Sequence, residues 1–236
     1  MKIFAKIRFY WGAAVISLVV ALIMIPLIHL FPRHKGTIMH TLNRAILFLL
    51  GATIQTVGMR DPASQLFVFN HQGIIDIITM EAVANTHMAW IAKKELFDTP
   101  IYGHLLKGGG MISVDRQNKA GLIRLLHDAE ARIAEGGRAL AIFPEGTRAR
   151  GQKLLPFKAG AKLLANRLRL RVQPVVITGS KWLLNEHNRT AHNATVKVMY
   201  LTAFNVSEMP QTWYEDLRET MQHVIDEEQS VHGRER

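Results

Sequence analysis

The chain has 236 residues, a formal net charge of +10 and no cysteine. The missing cysteine excludes disulfides, thiolate nucleophiles and Cys-ligated metal sites. The basic balance calls for an anionic partner, and both nucleic acid and an anionic membrane surface would serve. No nucleic-acid signature or aromatic-rich basic stripe accompanies the charge, and an adjoining apolar segment favours the membrane.

That segment is residues 11–31, which hold no Lys, Arg, Asp or Glu. A bilayer-spanning helix needs about 20 such residues. Lys2, Lys6 and Arg8 precede it, as in a signal peptide, but the run exceeds a signal h-region and no small-x-small cleavage site follows. Retention as an anchor is therefore expected. Residues 37–55 predict an amphipathic helix, with Ile38, Leu42, Ala45, Ile46, Leu49 and Leu50 on one face and His40, Asn43 and Arg44 on another. Two geometries stay open: a single span, and a hairpin that enters one leaflet and returns. A helix buried in a soluble core is the alternative to both.

From residue 53 short apolar runs alternate with helical patterns. Strands are predicted at 53–58, 66–70, 88–92, 110–114, 138–143, 172–178 and 195–200. Helices are predicted at 74–84, 98–107, 119–135, 158–168 and 211–230, with Gly136 and Gly137 stopping the third. This alternation implies βαβ units, hence an α/β fold with a mostly parallel central sheet flanked by helices. The expected organisation is membrane-anchoring helices over 1–55, one catalytic domain over 56–230 and a disordered tail over 231–236.

Four of the apolar runs finish in polar or charged residues, and ligands of open α/β sheets bind outside the carboxyl ends of the strands. After 66–69 come Asn70, His71 and, five positions past the histidine, Asp76. In one regular helix two residues five apart do not share a face. The pair therefore makes sense if His71 ends the strand and Asp76 lies in the first helical turns. Asp76 then accepts from one ring nitrogen and leaves the other as a base. No serine or cysteine nucleophile accompanies the pair, which points to a base acting on a substrate hydroxyl. A core histidine followed by a helix N-terminal aspartate would have the same spelling.

After 139–143 comes Pro144-Glu145-Gly146-Thr147-Arg148. Gly146 lets backbone approach a ligand, and Thr147 and Arg148 offer a hydroxyl and a bidentate fork suited to phosphate. Glu145 could hold a ligand hydroxyl or pair with a cation. An ordinary turn closed by a Glu–Arg pair is the alternative. Asp115-Arg116 and Lys93-Lys94 end two further strands and add cations to the same edge, or are solvated turns. There is no HExxH sequence or carboxylate cluster at ligand spacing, so no metal is expected.

Taken together and in order, N-H-Q-x-x-x-D at 70–76, G-x-x-x-x-D-R at 110–116, F-P-E-G-T-R at 143–148 and V-x-P-V-V at 172–176 resemble the four sequence blocks of the glycerolipid acyltransferase family. The likeness is greatest to the branch that acylates 1-acyl-sn-glycerol 3-phosphate. Segments 92–96 and 155–161 also resemble the family, and the likeness covers about residues 60–200. The hydrophobic N-terminus resembles its bacterial members. Gly73 stands where the family often has Ser, Ser113-Val114 replaces a bulkier apolar pair, and Ala149 replaces a frequent Ser.

The resemblance implies that His71 deprotonates the sn-2 hydroxyl of lysophosphatidic acid, with Asp76 orienting it. Acyl-CoA or acyl carrier protein would donate the acyl chain directly, with no acyl-enzyme and no resident cofactor. Lys93, Arg116, Glu145, Gly146, Thr147 and Arg148 would bind the glycerol phosphate, and Pro174 with its block would shape the acyl-donor side. The implied location is the cytoplasmic face of the inner membrane, against anionic lipids. Another lysolipid or glycerol 3-phosphate as acceptor, a thioesterase or esterase, and a non-catalytic membrane scaffold are the competing readings.

Overall fold

The computed structural model describes residues 2–84, 87–115, 119–135, 138–151 and 153–232. It begins with one long helix, α1 (Lys2–Leu18), a π-helical segment (Val19–Met24) and α2 (Ile25–Leu30). Pro26 has no N–H to give to Leu22, and the helix widens by one residue just before it. Lys2–Leu30 is long and apolar enough to cross a membrane. It is two-sided. Ala5, Gly12, Ile16, Val20, Met24 and Ile28 are buried along one stripe, whereas Ile3, Phe4, Ile7, Trp11, Leu18 and Leu22 are exposed. At Gly12 a Cβ would meet Leu50 at 2.8 Å and Leu184 at 3.1 Å, so the missing side chain permits close packing. Arg8 donates to the Leu50 carbonyl at 3.1 Å and to the Asn193 amide oxygen at 2.5 Å.

The returning helix, α3 (Lys35–Leu49), stops six residues short of the expected 55. Gly51 turns the chain with φ +74°, and strand β1 (Ala52–Val57) follows at once. Then come β2 (Leu66–Phe69), α4 (Ile74–Val83), β3 (Ala89–Lys93), α5 (Lys94–Phe97), α6 (Tyr102–Gly109) and β4 (Ile112–Val114). They are followed by α7 (Lys119–Ala134), β5 (Leu140–Ile142), α8 (Ala159–Arg167), β6 (Arg171–Thr178) and α9 (Ser180–Leu183). The chain closes with β7 (Leu184–Asn185), β8 (Thr190–Ala191), β9 (Ala194–Tyr200), β10 (Phe204–Asn205) and α10 (Trp213–His232).

The expected strands all form, within three residues. The helix expected at 98–107 begins at Tyr102, after the separate short turn α5. The β7–β8 hairpin and β10 were not foreseen, because two-residue strands carry no periodicity. Gly136, Gly137 and residues 233–236 lie outside the described residues; of the expected disordered tail, 231 and 232 are helical.

The sheet order is β1-β9-β6-β2-β5-β3-β4, with β10 also on β6. β6, β2, β5, β3 and β4 are mutually parallel, and β9 turns the direction by pairing antiparallel with β6. Side chains of β2 alternate between two cores. Phe67 and Phe69 face the layer that includes the N-terminal helix, α3 and α4. Leu66 and Val68 face the layer of α7, α8 and α10. The carboxyl ends of β2, β5, β3 and β6 thus share one edge, the topology's natural place for a site.

Candidate active site

Asn70 fixes the end of β2. Its amide donates to the Ile177 carbonyl at 2.8 Å and accepts the Ile177 N–H at 2.7 Å, extending the ladder to β6 one residue past the strand. The group is fully buried, so both bonds protect against an unpaired amide.

His71 comes next and is held at both backbone ends by the loop after β5. Its N–H donates to Glu145 Oε1 at 2.9 Å, and its carbonyl accepts the Ala149 N–H at 2.9 Å. Glu145 Oε2 accepts the Leu155 N–H at 2.8 Å. Glu145 is buried, and its carboxylate joins three chain segments. The His71 ring lies on Phe143, centroids 3.8 Å apart and planes 16° apart. Trp90 stacks on Phe143 in turn, at 5.1 Å and 20°, and its indole N–H donates to Glu81 at 2.6 Å.

Asp76 lies in the first turn of α4, as expected. Its Oδ2 is 3.0 Å from His71 Nδ1 and accepts the N–H of Gln72 at 2.5 Å and of Gly73 at 3.0 Å. The carboxylate is fully buried. Burial alone would raise its pKa, but the hydrogen bond and charge of His71, with the Ser180 hydroxyl and the Gln72 amide, hold it below the ordinary carboxylate value. An ionised Asp76 accepting from Nδ1 leaves Nε2 as the basic nitrogen. Among the described residues no hydrogen bond reaches Nε2. Ser180 is buried beside the Asp76 carboxylate.

Gly146 makes the turn with φ +70°, and its N–H donates to the Phe143 carbonyl at 3.0 Å. Thr147 and Arg148 follow on the exposed side. Arg148 pairs with Glu186, whose other oxygen accepts the Ile74 N–H at 2.8 Å. Glu186 therefore caps α4 from the β7–β8 turn, where Gly73 has no side chain to do so. Lys93 stands exposed at the end of β3, on the same edge. Its neighbour Lys94 pairs with Asp115 at 3.3 Å. Arg116 lies outside the described residues.

Pro174 does not join this cluster. It is buried inside β6, paired with Val68 and four residues before the strand end. Its carbonyl accepts from Leu201 at 2.9 Å, between the β10 and β9 pairings. Backbone groups of one strand residue point to the same side, so the missing proline N–H falls in that gap in the ladder.

Sequence reasoning did not single out Glu186, Ser180 or Trp90. Glu186 reaches Ile74 across 112 positions of chain. Its surroundings, Asn185 to Arg189, spell only a turn. Among the described residues there is no group of three or more His, Cys, Asp or Glu placed to hold a metal.

A family model described as Acyltransferase matches residues 52–178, which hold His71, Asp76, Lys93, Glu145 and Arg148 but not Ser180 or Glu186. The chain belongs to the acyltransferase family. A relative from Helicobacter pylori named 1-acyl-sn-glycerol-3-phosphate acyltransferase is 41% identical over 74% of this chain and 73% of its own length. An Escherichia coli protein of the same name is 28% identical over 75% of this chain and 72% of its own. The fold matches the crystal structure of the 1-acyl-sn-glycerophosphate (LPA) acyltransferase PlsC from Thermotoga maritima with TM-score 0.76. That match covers 96% of this chain and 97% of the other, at 18% identity. The acyltransferase family is thus the one indicated by the four blocks, and the α/β fold with its apolar N-terminal helix is the one expected.

Proposed function

We propose that this acyltransferase moves an acyl chain from an acyl thioester, acyl-CoA or acyl carrier protein, to the sn-2 hydroxyl of 1-acyl-sn-glycerol 3-phosphate. The product is phosphatidic acid, a phospholipid precursor. The observation that carries the reading is the 3.0 Å bond from His71 Nδ1 to a buried, ionised Asp76. Nε2 takes the hydroxyl proton while the hydroxyl oxygen attacks the thioester carbonyl. The tetrahedral intermediate collapses, the C–S bond breaks, and the leaving thiolate receives the proton from the imidazolium. No enzyme nucleophile and no resident cofactor takes part.

Arg148 and Lys93 supply cations to the acceptor's phosphate, with Gly146 and Thr147 shaping the approach and Arg116 as a further contact. Glu145 contributes by holding the backbone of His71. The relatives' shared name supports lysophosphatidic acid over another lysolipid. The exposed apolar face of Lys2–Leu30 and the +10 charge support docking to an anionic membrane at its cytoplasmic face. Because the opposite face of the helix is packed into the core of the catalytic domain, a hairpin in one leaflet fits better than a free span.

The test is transfer from a radiolabelled acyl thioester to lysophosphatidic acid by the detergent-solubilised enzyme, against His71→Ala. Loss of a general base costs about 10²–10⁴-fold. A wild-type rate in the variant would remove His71 as base. Thiol release without any added acceptor would favour a thioesterase.

A further inference from the structure

Beside the His71 site lies a cavity of about 440 Å³ lined by Arg150, Lys181, Asn185, His187 and Asn188. Its lining residues are close in sequence to residues of the active site. Arg150 follows Arg148 by two residues in the loop after β5. Lys181 follows Ser180, the serine beside Asp76. Asn185 and His187 flank Glu186, whose carboxylate is turned to Ile74 and Arg148.

The lining is uniformly suited to an anion. Among the described residues it holds two permanent cations, a histidine and two amides, and no carboxylate. Asn185 accepts the N–H groups of His187 and Asn188 at 3.1 Å and 2.9 Å through its oxygen, which leaves its NH₂ as the donor for other partners. Lys181 also donates to the Arg150 carbonyl, tying the corner after β6 to the loop after β5. The volume is in the range of small-molecule sites, roughly 300–1,000 Å³, and exceeds what a lone phosphate fills.

We infer that this cavity binds the phosphate-bearing end of the acyl donor's pantetheine arm. The inference rests on the acyl-transfer reading above, which requires two anionic substrates to meet at one imidazole. The acceptor's phosphate is only a few bonds from its attacking hydroxyl, so its cations must stand next to His71, as Arg148 does. The donor's phosphates sit at the far end of a long flexible arm from the thioester. Their cations must stand apart from the base yet be continuous with its site. The cavity contains neither His71, Asp76 nor Arg148, but Arg150 stands in the loop that carries Arg148.

The experiment uses the full chain in detergent, with Lys181→Glu, Arg150→Glu and the conservative Lys181→Arg. Donor and acceptor are varied separately, and binding of free coenzyme A is measured by calorimetry. Each reversal should raise the acyl-CoA KM and the coenzyme A Kd together, by about tenfold, while the acceptor KM stays within about twofold. Lys181→Arg should restore both. A parallel series with acyl carrier protein separates two sources of the same chemistry. A rise with both donors assigns the phosphate next to the pantetheine, and a rise with acyl-CoA alone assigns the nucleotide end.

Unchanged donor KM and coenzyme A binding in a folded, active variant overturns the inference and leaves acyl transfer standing. A rise confined to the acceptor KM overturns it too and gives the cavity to the acceptor. A folded wild type that transfers no acyl chain overturns the underlying reading instead. Thermal melts and the Lys181→Arg rescue separate a binding defect from a folding defect.

Discussion

The ring of His71 lies flat on the ring of Phe143, 3.8 Å between centroids. Asp76 fixes one edge of the imidazole, and Phe143 fixes its plane. Phe143→Leu keeps an apolar residue but removes the shelf. Stacked aromatic pairs contribute about 0.5–1.5 kcal/mol beyond area burial, so losing the His71 stack should take about that much from stability. Catalysis should suffer more, since a small misplacement of a reacting group costs up to about 10²-fold. Steady-state kinetics should show kcat reduced at least about tenfold with both KM values little changed. A variant that lost only Tm, with wild-type kcat, would show the shelf to be mere packing.

Glu145 gives a different signature. Both of its oxygens accept backbone N–H groups, from His71 and Leu155. Glu145→Gln retains one acceptor and aims an NH₂ at the other donor. Leaving a buried donor unsatisfied costs about 1–3 kcal/mol, so denaturant unfolding should show a loss of that size. The rate should fall without a selective rise in acceptor KM. A large acceptor KM effect in a variant of normal stability would make Glu145 a ligand of the substrate rather than a brace.

Arg148 and Glu186 form a pair at the rim, 40% and 26% exposed. Solvent screens such a pair, so its loss should barely touch stability. Arg148→Gln should raise the lysophosphatidic acid KM about tenfold and spare the donor KM. Glu186→Gln keeps an oxygen for the Ile74 N–H and releases Arg148 from its carboxylate. Inhibition by inorganic phosphate should then tighten several-fold. Equal phosphate inhibition in wild type and Glu186→Gln would show that Glu186 does not compete for that guanidinium.

The legible part of this molecule was what local pattern and strand endings carry. Apolar runs at 66–69 and 140–142 specified strands, and residues just beyond them specified the site edge. The His71–Asp76 distance was foreseeable because strand end and helix start leave little choice of geometry. Contacts closed by distant chain were not. Glu186, Trp90 and Ser180 reach the site through sheet order and a hairpin whose two-residue strands leave no periodic trace. Pro174 shows another side of this: its sequence block marks the family, and its place is inside β6. The amphipathic run at 37–55 overshot because apolar residues continue through Leu49, Leu50, Ala52 and Ile54, and only Gly51 marks the boundary.

Asp76 links the site to acid stability. Its pKa in the folded chain lies below the ordinary value, because His71 and the helix-start amides outweigh burial. A depressed carboxylate contributes stability that is complete above its unfolded pKa, about 3.9, and is lost as pH falls through the folded value. Asp76→Asn carries no such charge and should melt lower than wild type at neutral pH. The gap between their Tm values should stay constant down to about pH 4 and narrow below it. A gap that persisted unchanged into stronger acid would mean that the charge of Asp76 contributes nothing to folding.

The N-terminal helix distinguishes anchoring from folding by its two faces. Ile16, Val20, Met24 and Ile28 are at most 5% exposed and join the core shared with Phe67, Phe69 and Trp90. Truncation before α3 would strip that core and leave apolar residues of α3 and α4 uncovered. Each large buried side chain lost costs about 2–5 kcal/mol, so the truncated chain should aggregate in detergent as well as in water. The outer face is separable. Trp11 and Leu22 are 50% and 68% exposed, so replacing both by Glu should leave the Tm in detergent nearly unchanged. The same double variant should fall off vesicles containing anionic lipid, because apolar insertion and charge attraction both weaken. Activity on short-chain, water-soluble acceptor analogues should survive where activity on vesicle-embedded lysolipid is lost. Full vesicle binding by the double variant would place the membrane contact elsewhere on the molecule. A melting point that collapsed would mean that the outer face, too, serves the fold.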